Sequence, residues 1–419
     1  MSVPATLFNI AARSLWNRRT TAALTVLAIA MSITLFMGVE QLRKSARASF
    51  EATLSGTDLL IGARSGDINL LLYAVFRLGN PTNNMSWESY QTIANRREVA
   101  WTIPISLGDS VRGFRVIGTT GAYFEHYRFG DKRPLTFAEG EPFDGVFDAV
   151  IGAEAAKGLN LSVGDTIILS HGIGDTSFIQ HDNEPFRVVG ILKPTGTPVD
   201  RAVHVSLAGL EAVHQPTTPG FGGKPPDNAN QQVFEPKTIT AALVGMKSRI
   251  LTLKLQRQIN SYPGEALSAV IPGVALAQLW QVVGSVETVL RVIAGFVILT
   301  GLVGMLTNIL TSLNERRREM ALLRAVGARR PAVFSLLVLE AGLLAGLGSL
   351  IGTVFVYVGF LLSAPWIETR YGILLSPSPP GQDDGLIVGA VMFIALALGM
   401  IPAWAAYRRS LADGLSVQT

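Results

Sequence analysis

The segment NERRREMALLRAVGARR, residues 314–330, is the most strongly charged run in the apolar C-terminal third of the sequence. It lies between two long apolar segments, and its basic residues outnumber Glu315 and Glu319. A short loop this basic between two membrane spans is expected on the cytoplasmic side. The segment therefore sets the orientation of the spans on either side of it. Its arginines are Arg316, Arg317, Arg318, Arg324, Arg329 and Arg330.

The same segment has the spacing of a short amphipathic helix. Gly327 suits the end of such a helix, and Pro331 suits the first turn of the next one. Two interpretations are open: the segment only fixes topology, or it also docks onto a partner. The apolar face favours docking, because topology alone does not require it. The apolar residues at this spacing are Met320, Leu322, Leu323 and Val326.

Four apolar blocks account for a composition of 48% hydrophobic and only 16% charged residues. Each is close to or longer than the roughly 20 residues that span a bilayer. The predicted order is a cytoplasmic amphipathic helix at residues 1–20, a span at 21–39, stalks and an extracytoplasmic domain at 40–288, a span at 289–313, the cytoplasmic coupling segment at 314–330, a span at 331–362, a short extracytoplasmic loop at 363–385, a span at 386–406 and a cytoplasmic tail at 407–419.

Flanking charges place both termini in the cytoplasm, because arginines precede the first span and follow the fourth. The net positive charge of the chain is then explained by membrane topology and does not indicate nucleic-acid binding. The absence of cysteine excludes disulfides. A rival interpretation makes residues 18–30 a signal peptide, but the apolar run continues to residue 39 and is too long for one. The flanking arginines are Arg13, Arg18, Arg19, Arg408 and Arg409.

Helical stalks are predicted at both ends of the extracytoplasmic domain. Apolar residues continue at helical spacing beyond the first span and again before the second. Between the stalks, short β-rich pieces at residues 101–106, 111–117, 166–169, 186–192 and 202–205 alternate with helices at 87–96, 153–159, 207–214 and 247–259. Residues 215–237, rich in proline and glycine, are predicted to form a loop that separates a first part of the domain from a shorter return part. The stalk residues are Leu42, Ala46, Phe50, Leu279, Val283 and Val286.

The predicted fold is thus an α-helical membrane protein with four transmembrane helices and a large mixed α/β extracytoplasmic domain, carried on helical stalks between the first and second spans. The sequence has no G-x-x-x-x-G-K-[ST] phosphate loop, no serine-hydrolase elbow and no H-E-x-x-H, so neither ATP binding nor catalysis is expected of it. One group of metal-ligand residue types is more simply a solvated turn than a metal site. That group is His171, Asp175, His181, Asp182 and Glu184.

The third predicted span contains a carboxylate and a series of glycines. An ionisable group at membrane depth needs a partner or water, so Glu340 is predicted to pair near the interface rather than to relay protons. Glycines at small-x-x-x-small spacing let helices approach closely and form a packing surface, within the chain or between subunits. They are Gly342, Gly346, Gly348 and Gly352.

Two stretches resemble the FtsX-like and MacB-type (LolC/LolE-like) ABC transporter permeases. REMALLRAVGA at residues 318–328, followed by Glu340 and the glycines, is similar to the family's cytoplasmic loop and third span. IGAEAAKGLNLSVGDTII at residues 151–168, followed by FRVVGI at 186–191, is similar to the core of its external domain. Residues 70–87 and 215–237 have no counterpart in that pattern.

The resemblance implies a non-catalytic subunit of the bacterial inner membrane, with its large domain in the periplasm, that works with a second permease chain, identical or different. A cytoplasmic ATPase on a separate chain would bind ATP and Mg and receive the coupling residues. ATP-driven motion would pass through the stalks to export or extract a lipoprotein, peptide or hydrophobic small molecule, with a periplasmic adaptor as a further partner. Alternatives are a signal transmitter that regulates a periplasmic hydrolase, and a part in metal or nutrient acquisition. The coupling residues are Glu319, Met320, Leu322, Leu323, Arg324, Val326 and Gly327.

Overall fold

The computed structural model describes residues 3–53, 55–171, 185–214, 235–315, 324–325, 328–371 and 379–408. The chain divides into two compact units. A helical unit comprises Met1–Ser45, Gly284–Pro365 and Leu375–Thr419, and an α/β unit comprises Ala46–Val283 and Trp366–Leu374.

The helices within the described ranges are α1 (Val3–Asn17), α2 (Arg19–Thr53), α3 (Asp67–Ala74), α4 (Trp87–Ala94), α5 (Ala122–His126), α6 (Ala153–Leu159), α7 (Leu207–His214), α8 (Thr252–Asn260), α9 (Pro272–Glu315), α10 (Arg330–Tyr371) and α11 (Gln382–Arg408).

The strands within those ranges are β1 (Leu59–Ala63), β2 (Met85–Ser86), β3 (Val99–Val111), β4 (Phe114–Thr119), β5 (Arg128–Phe129), β6 (Arg133–Pro134), β7 (Phe137–Gly140), β8 (Asp148–Ile151), β9 (Thr166–Ile167), β10 (Ser170–His171), β11 (Phe186–Leu192), β12 (Ala202–Ser206), β13 (Thr238–Ile239), β14 (Ala241–Met246) and β15 (Leu267–Val270).

Among the described residues four helices, α2, α9, α10 and α11, are long and apolar enough to cross a membrane, as the sequence predicts. Their inward sides form one apolar core that includes Ile33, Met305 and Leu337. Their outward sides carry exposed large apolar residues such as Leu362 and Phe393, 77% and 74% exposed. Side chains of this kind are stable on such a surface where lipid rather than water surrounds it.

Close helix contacts in the helical unit depend on small residues. A Cβ added at Gly348 would lie 2.7 Å from the Cβ of Ile29 on α2, and one added at Gly352 would lie 2.6 Å from the carbonyl oxygen of Ala30. Thr34 donates a hydrogen bond to the Gly352 carbonyl at 3.2 Å. Part of the predicted glycine surface is therefore used within the chain, between α2 and α10, rather than between subunits.

Substitution of Gly348 by alanine is expected to destabilise the helical unit by about 1–3 kcal/mol, because the new methyl group overpacks Ile29. Gly359→Ala is the matched control, since a Cβ at Gly359 meets nothing within 4 Å. Denaturant unfolding of the chain in detergent, followed by tryptophan fluorescence, measures both variants. Equal free energies of unfolding for the two would contradict the close contact.

The α/β unit is built on one large sheet with the strand order β15-β1-β14-β3-β4-β12-β8-β11-β7, from which β10 pairs with β3 and β9 with β11. Strands β14 and β15, which follow the loop at 215–237, both pair with β1 near the start of the unit. The return part is therefore not separate: it completes the sheet that the first part begins. The middle of the sheet is buried on both faces: all six residues of β14 are buried.

Most predicted elements of this unit are present, but the strand at 111–117 and the start of the helix at 247–259 differ from the prediction. The strand predicted at residues 111–117 is interrupted, because Arg112 and Gly113 form the turn of a hairpin between β3 and β4. Both have positive φ, 46° and 86°, the conformation that a tight two-residue hairpin turn requires. The helix predicted at 247–259 begins later, as a single 3₁₀ turn followed by α8.

A charged pair joins α7 to β3. The Nε2 atom of His214 lies 3.5 Å from Oδ2 of Asp109, whose side chain is almost fully buried. The hydrogen bond with Asp109 raises the pKa of His214 to about 9, although burial acts in the opposite direction. The imidazole is therefore protonated at neutral pH.

The pair predicts a pH dependence of stability. Because the folded pKa of His214 is raised, its contribution is complete below the unfolded pKa near 6.5 and is lost as pH rises through about 9. With solvent screening of this partly exposed group, we expect a loss of about 1 kcal/mol between those values. Denaturant titrations across this range measure it. His214→Gln should flatten the dependence and His126→Gln should not, so equal slopes in all three proteins would refute the pair.

Candidate functional site

Two of the membrane-spanning helices also contribute residues to the α/β unit. The C-terminal end of α2, residues 46–53, and the N-terminal end of α9, residues 272–283, belong to that unit, whereas the remainder of each helix belongs to the helical unit. Neither helix is interrupted at the boundary: α2 runs for 35 residues and α9 for 44. We call residues 46–53 and 272–283 the stalk ends.

The two stalk ends contact each other through aromatic side chains. The ring centroid of Phe50 lies 5.7 Å from that of Trp280 in an edge-to-face arrangement and 4.4 Å from that of Phe76. The guanidinium of Arg47 lies over the Trp280 ring, 5.9 Å from its centroid. Phe50, Leu279 and Trp280 all pack against the principal core of the α/β unit. The stalk ends are thus joined to one another and to that core.

The end of α2 is also held by hydrogen bonds to its last carbonyl groups, which have no partner within the helix. The Tyr127 hydroxyl donates to the carbonyl of Thr53 at 2.8 Å, and the backbone N–H of Gly130 donates to that of Ala52 at 2.7 Å. Burial raises the pKa of Tyr127 far above its ordinary range, so the hydroxyl remains a donor at any physiological pH. The helix terminus is therefore capped by the domain it enters.

A buried loop supports the same helix end. Asp200 accepts hydrogen bonds from the backbone N–H groups of Thr195 and Gly196, at 2.8 and 2.6 Å, and from the Thr195 hydroxyl at 2.8 Å. The carbonyl of Gly196 in turn accepts a hydrogen bond from the Ser49 hydroxyl at 3.4 Å. A carboxylate that organises its own loop in this way makes a rigid surface for the helix to rest on.

Within the helical unit, a set of polar contacts joins α2 to the other three long helices; we call it the polar collar. Towards α9, Arg291 lies 3.2 Å from Glu40 and Arg43 lies 3.9 Å from Glu287. Towards α11, Lys44 lies 2.7 Å from Asp383. These residues follow or precede the apolar stretches, where charged side chains can reach the interface.

The polar collar reaches α10 through a relay of hydrogen bonds. Gln41 donates to the Tyr357 hydroxyl at 3.2 Å, and that hydroxyl donates to Oδ2 of Asp384 at 3.1 Å. The N–H of Gly381 donates to the same carboxylate oxygen at 3.0 Å. Because these contacts join all four long helices at one end of their apolar stretches, a displacement of one helix there is resisted by the other three.

The predicted stalk residues lie in two different environments. Ala46, Phe50, Leu279 and Val283 are half-buried in the α/β unit. Leu42 and Val286 belong to the helical unit and are 49% and 61% exposed. Helical spacing identified the stalk helices, but it does not show which turns of an apolar face are covered by the chain itself.

The predicted membrane residues are buried within the helical unit. Glu340 is 4% exposed and is engaged in an interaction, and its structural role remains a prediction. A Cβ added at Gly342 would lie 3.2 Å from Leu396, and one at Gly346 would lie 3.9 Å from Met392, so these glycines face α11.

The coupling segment is mostly outside the described residues. Of its predicted contact residues only Arg324 is described, half-buried and in a helical conformation; Glu319, Met320, Leu322, Leu323, Val326 and Gly327 are not. The acidic and histidine residues from Asp175 to Glu184 are also outside the described ranges, and so is most of the loop at 215–237. Docking and metal binding by these segments therefore remain predictions. In the ranges that are described, no group of three potential metal ligands occurs.

Removal of the Phe50 side chain is expected to destabilise the α/β unit by about 2–4 kcal/mol, because a half-buried aromatic ring is lost between Trp280 and Phe76. Leu42→Ala, on the same helix but with an exposed side chain, should change stability by less than about 0.5 kcal/mol. Denaturant unfolding in detergent compares the two. A Phe50→Ala variant as stable as Leu42→Ala would mean that the aromatic contact does not hold the stalk end.

Comparison with known families gives two matches that together cover most of the chain. Residues 22–242 match the MacB-like periplasmic core domain, and residues 291–411 match the FtsX-like permease C-terminal domain. The first match includes α2 with its stalk end and most of the large sheet. The second includes α10, α11 and most of the apolar part of α9.

Relatives with curated names are similar over part of their length. The macrolide export ATP-binding/permease protein MacB of Bdellovibrio bacteriovorus is 25% identical over 359 residues, which cover 81% of this chain and 51% of that protein. The protein of the same name from Brucella melitensis biotype 1 is 27% identical over 261 residues, covering 59% and 35%. The chain thus spans between about a third and a half of these relatives.

A solved structure also shows limited similarity to the chain. The periplasmic region of MacB from Actinobacillus actinomycetemcomitans aligns with 14% identity and a TM-score of 0.35, covering 54% of this chain and 92% of that one.

Proposed function

Because the chain belongs to the FtsX-like and MacB-type family of ABC transporter permeases, we propose that it couples ATP hydrolysis in the cytoplasm to motion of its periplasmic domain. The observation that carries the proposal is the pair of stalk ends. Each is the uninterrupted continuation of a membrane-spanning helix, and each is packed into the core of the α/β unit. A displacement of either helix along its axis is therefore delivered to the domain.

The ATPase lies outside these 419 residues, which contain no phosphate-binding loop. We assign it to a separate cytoplasmic chain that binds ATP and Mg, so that this chain itself is non-catalytic. The names of the relatives, which combine ATP binding and permease, support an ATPase as the partner. The apolar face predicted from the sequence of residues 319–327 is the surface proposed to enter the ATPase, and the arginines around it support a cytoplasmic location.

The assembly proposed is two permease chains with their ATPases in the bacterial inner membrane, with both termini in the cytoplasm. The work is done on a substrate outside the membrane, such as a lipoprotein, a peptide or a hydrophobic small molecule, with or without a periplasmic adaptor. The named relatives act in macrolide export, which supports transport as the class of function. Regulation of a hydrolase and nutrient acquisition have no supporting observation of their own in the described part of the chain.

Two substitutions in the coupling segment test the docking role. Glu319→Arg and Leu323→Asp are expected to reduce co-purification of the ATPase at least tenfold, because they reverse a charge and place a carboxylate on the proposed apolar contact face. Glu139→Arg and Leu78→Asp are matched controls on exposed positions of the periplasmic domain, and both should retain the ATPase.

Membrane insertion and yield of the four variants should be alike, which separates docking from folding. If the ATPase is retained equally by all of them, the segment only fixes topology and the proposed contact is wrong.

A further inference from the structure

A small cavity on the α/β unit is lined by polar residues that the coupling role does not use. Its volume is about 230 Å³. One wall is the segment after α3, which has no counterpart in the family pattern of the sequence, and the other consists of the facing parts of β3 and β4. The lining residues are Asn80, Pro81, Leu107, Gly108, Asp109, Arg115 and Val116.

Arg115 is the principal cation of this cavity. Its Nη2 atom donates to the carbonyl of Gly79 at 2.7 Å and to Oδ1 of Asn80 at 3.2 Å. These two bonds fix the plane of the guanidinium while leaving its Nε and Nη1 donors uncommitted to any described residue. The part of the chain that the structure describes offers this half-buried charge no ion-pair partner.

A second arginine, Arg77, influences Arg115 electrostatically but does not line the cavity. Burial, and then the charge of Arg77, lower the pKa of Arg115, so the two guanidinium groups repel each other. Arg77 has a left-handed backbone conformation with φ 61°, which is uncommon for a residue other than glycine. Its buried Nε atom has no hydrogen-bond partner among the described residues.

The one carboxylate that lines the cavity does not supply that anion. Asp109 is 3.5 Å from His214, and this contact keeps His214 protonated at neutral pH. Among the described residues, Asp109 is therefore engaged by His214, and the cation that lines the cavity is Arg115. Asn80 contributes its side-chain amide at the rim, where its oxygen is already used by Arg115.

We propose that this cavity binds a carboxylate or phosphate group, with Arg115 as the charged donor and the Asn80 amide as a second donor. A guanidinium group binds carboxylate and phosphate through two parallel N–H donors, each to a separate oxygen atom. Chloride is a single atom and cannot accept such a pair of bonds in this way. The volume suits the anionic group of a ligand rather than an entire drug-sized molecule. The proposal does not depend on the coupling role, since no residue of the stalk ends or the coupling segment lines the cavity.

Calorimetric titration of the full chain with inorganic phosphate and, separately, with acetate tests the site, in a maltoside detergent and a buffer free of both ions. We expect saturable binding of at least one ion, and the one that binds identifies the group. Arg115→Gln should weaken binding at least tenfold and Asn80→Ala about threefold. Arg112→Gln, in the exposed hairpin turn between the same strands, should bind like the unaltered chain.

Asn80→Ala tests the site independently in case Arg115→Gln does not fold. Asn80 is exposed, so its substitution is expected to leave the sheet intact. The proposal is overturned if the unaltered chain binds neither ion at millimolar concentration. It is also overturned if Arg115→Gln, with an unchanged unfolding midpoint, binds as tightly as Arg112→Gln.

Discussion

The end of a helix that enters a folded domain leaves carbonyl groups without partners, and this constraint determines how the first stalk is built. In this chain the domain supplies the missing donors, from the Tyr127 hydroxyl and the Gly130 N–H. Phe50 adds an aromatic contact one turn earlier, to the second stalk end at Trp280. The cap and the aromatic contact make the helix end part of the domain core.

The polar collar performs the corresponding task for the membrane-spanning helices. Three residues in a five-residue stretch of α2 contact the other long helices. Glu40 contacts α9, Gln41 contacts α10 and Lys44 contacts α11. Exposed ion pairs contribute little each, typically below about 1 kcal/mol, so the value of this set is geometric: it limits independent movement of one helix. Glycine contacts between α2 and α10 limit it further along the same helices. This arrangement is what the proposed transmission of a displacement requires.

Hydropathy and charge predicted the spans and their number, because the bilayer imposes a length and a sign rule that act on contiguous residues. Helical spacing likewise identified both stalk helices. The cap by Tyr127, the pairing of Arg291 with Glu40 and the cavity at Arg115 were not predicted, since each joins residues distant in sequence. The sequence shows that Arg291 lies beside an apolar stretch, but it does not show that Glu40 is its partner.

The predicted strand at 111–117 shows the same limit at short range. Val111 and Phe114 are both suited to a strand, and only the positive φ values of Arg112 and Gly113 reveal that they lie on opposite sides of a turn. An Arg-Gly pair is a weaker hairpin signal than Asn-Gly or Asp-Gly, so the sequence pattern predicts one continuous strand.

The most direct test of the central claim, that ATP-driven motion reaches the periplasmic domain through the stalks, is a distance between two copies of the first stalk. The chain has no cysteine, so Ala48→Cys, exposed on that stalk end, gives one spin label for each copy in the reconstituted complex with the ATPase. Pulsed dipolar spectroscopy should show one distance distribution without nucleotide and a different one with ATP bound to a hydrolysis-deficient ATPase. Glu319→Arg in the labelled chain should abolish that difference. A distribution that is the same with and without ATP, or no dipolar signal at all, would contradict the account.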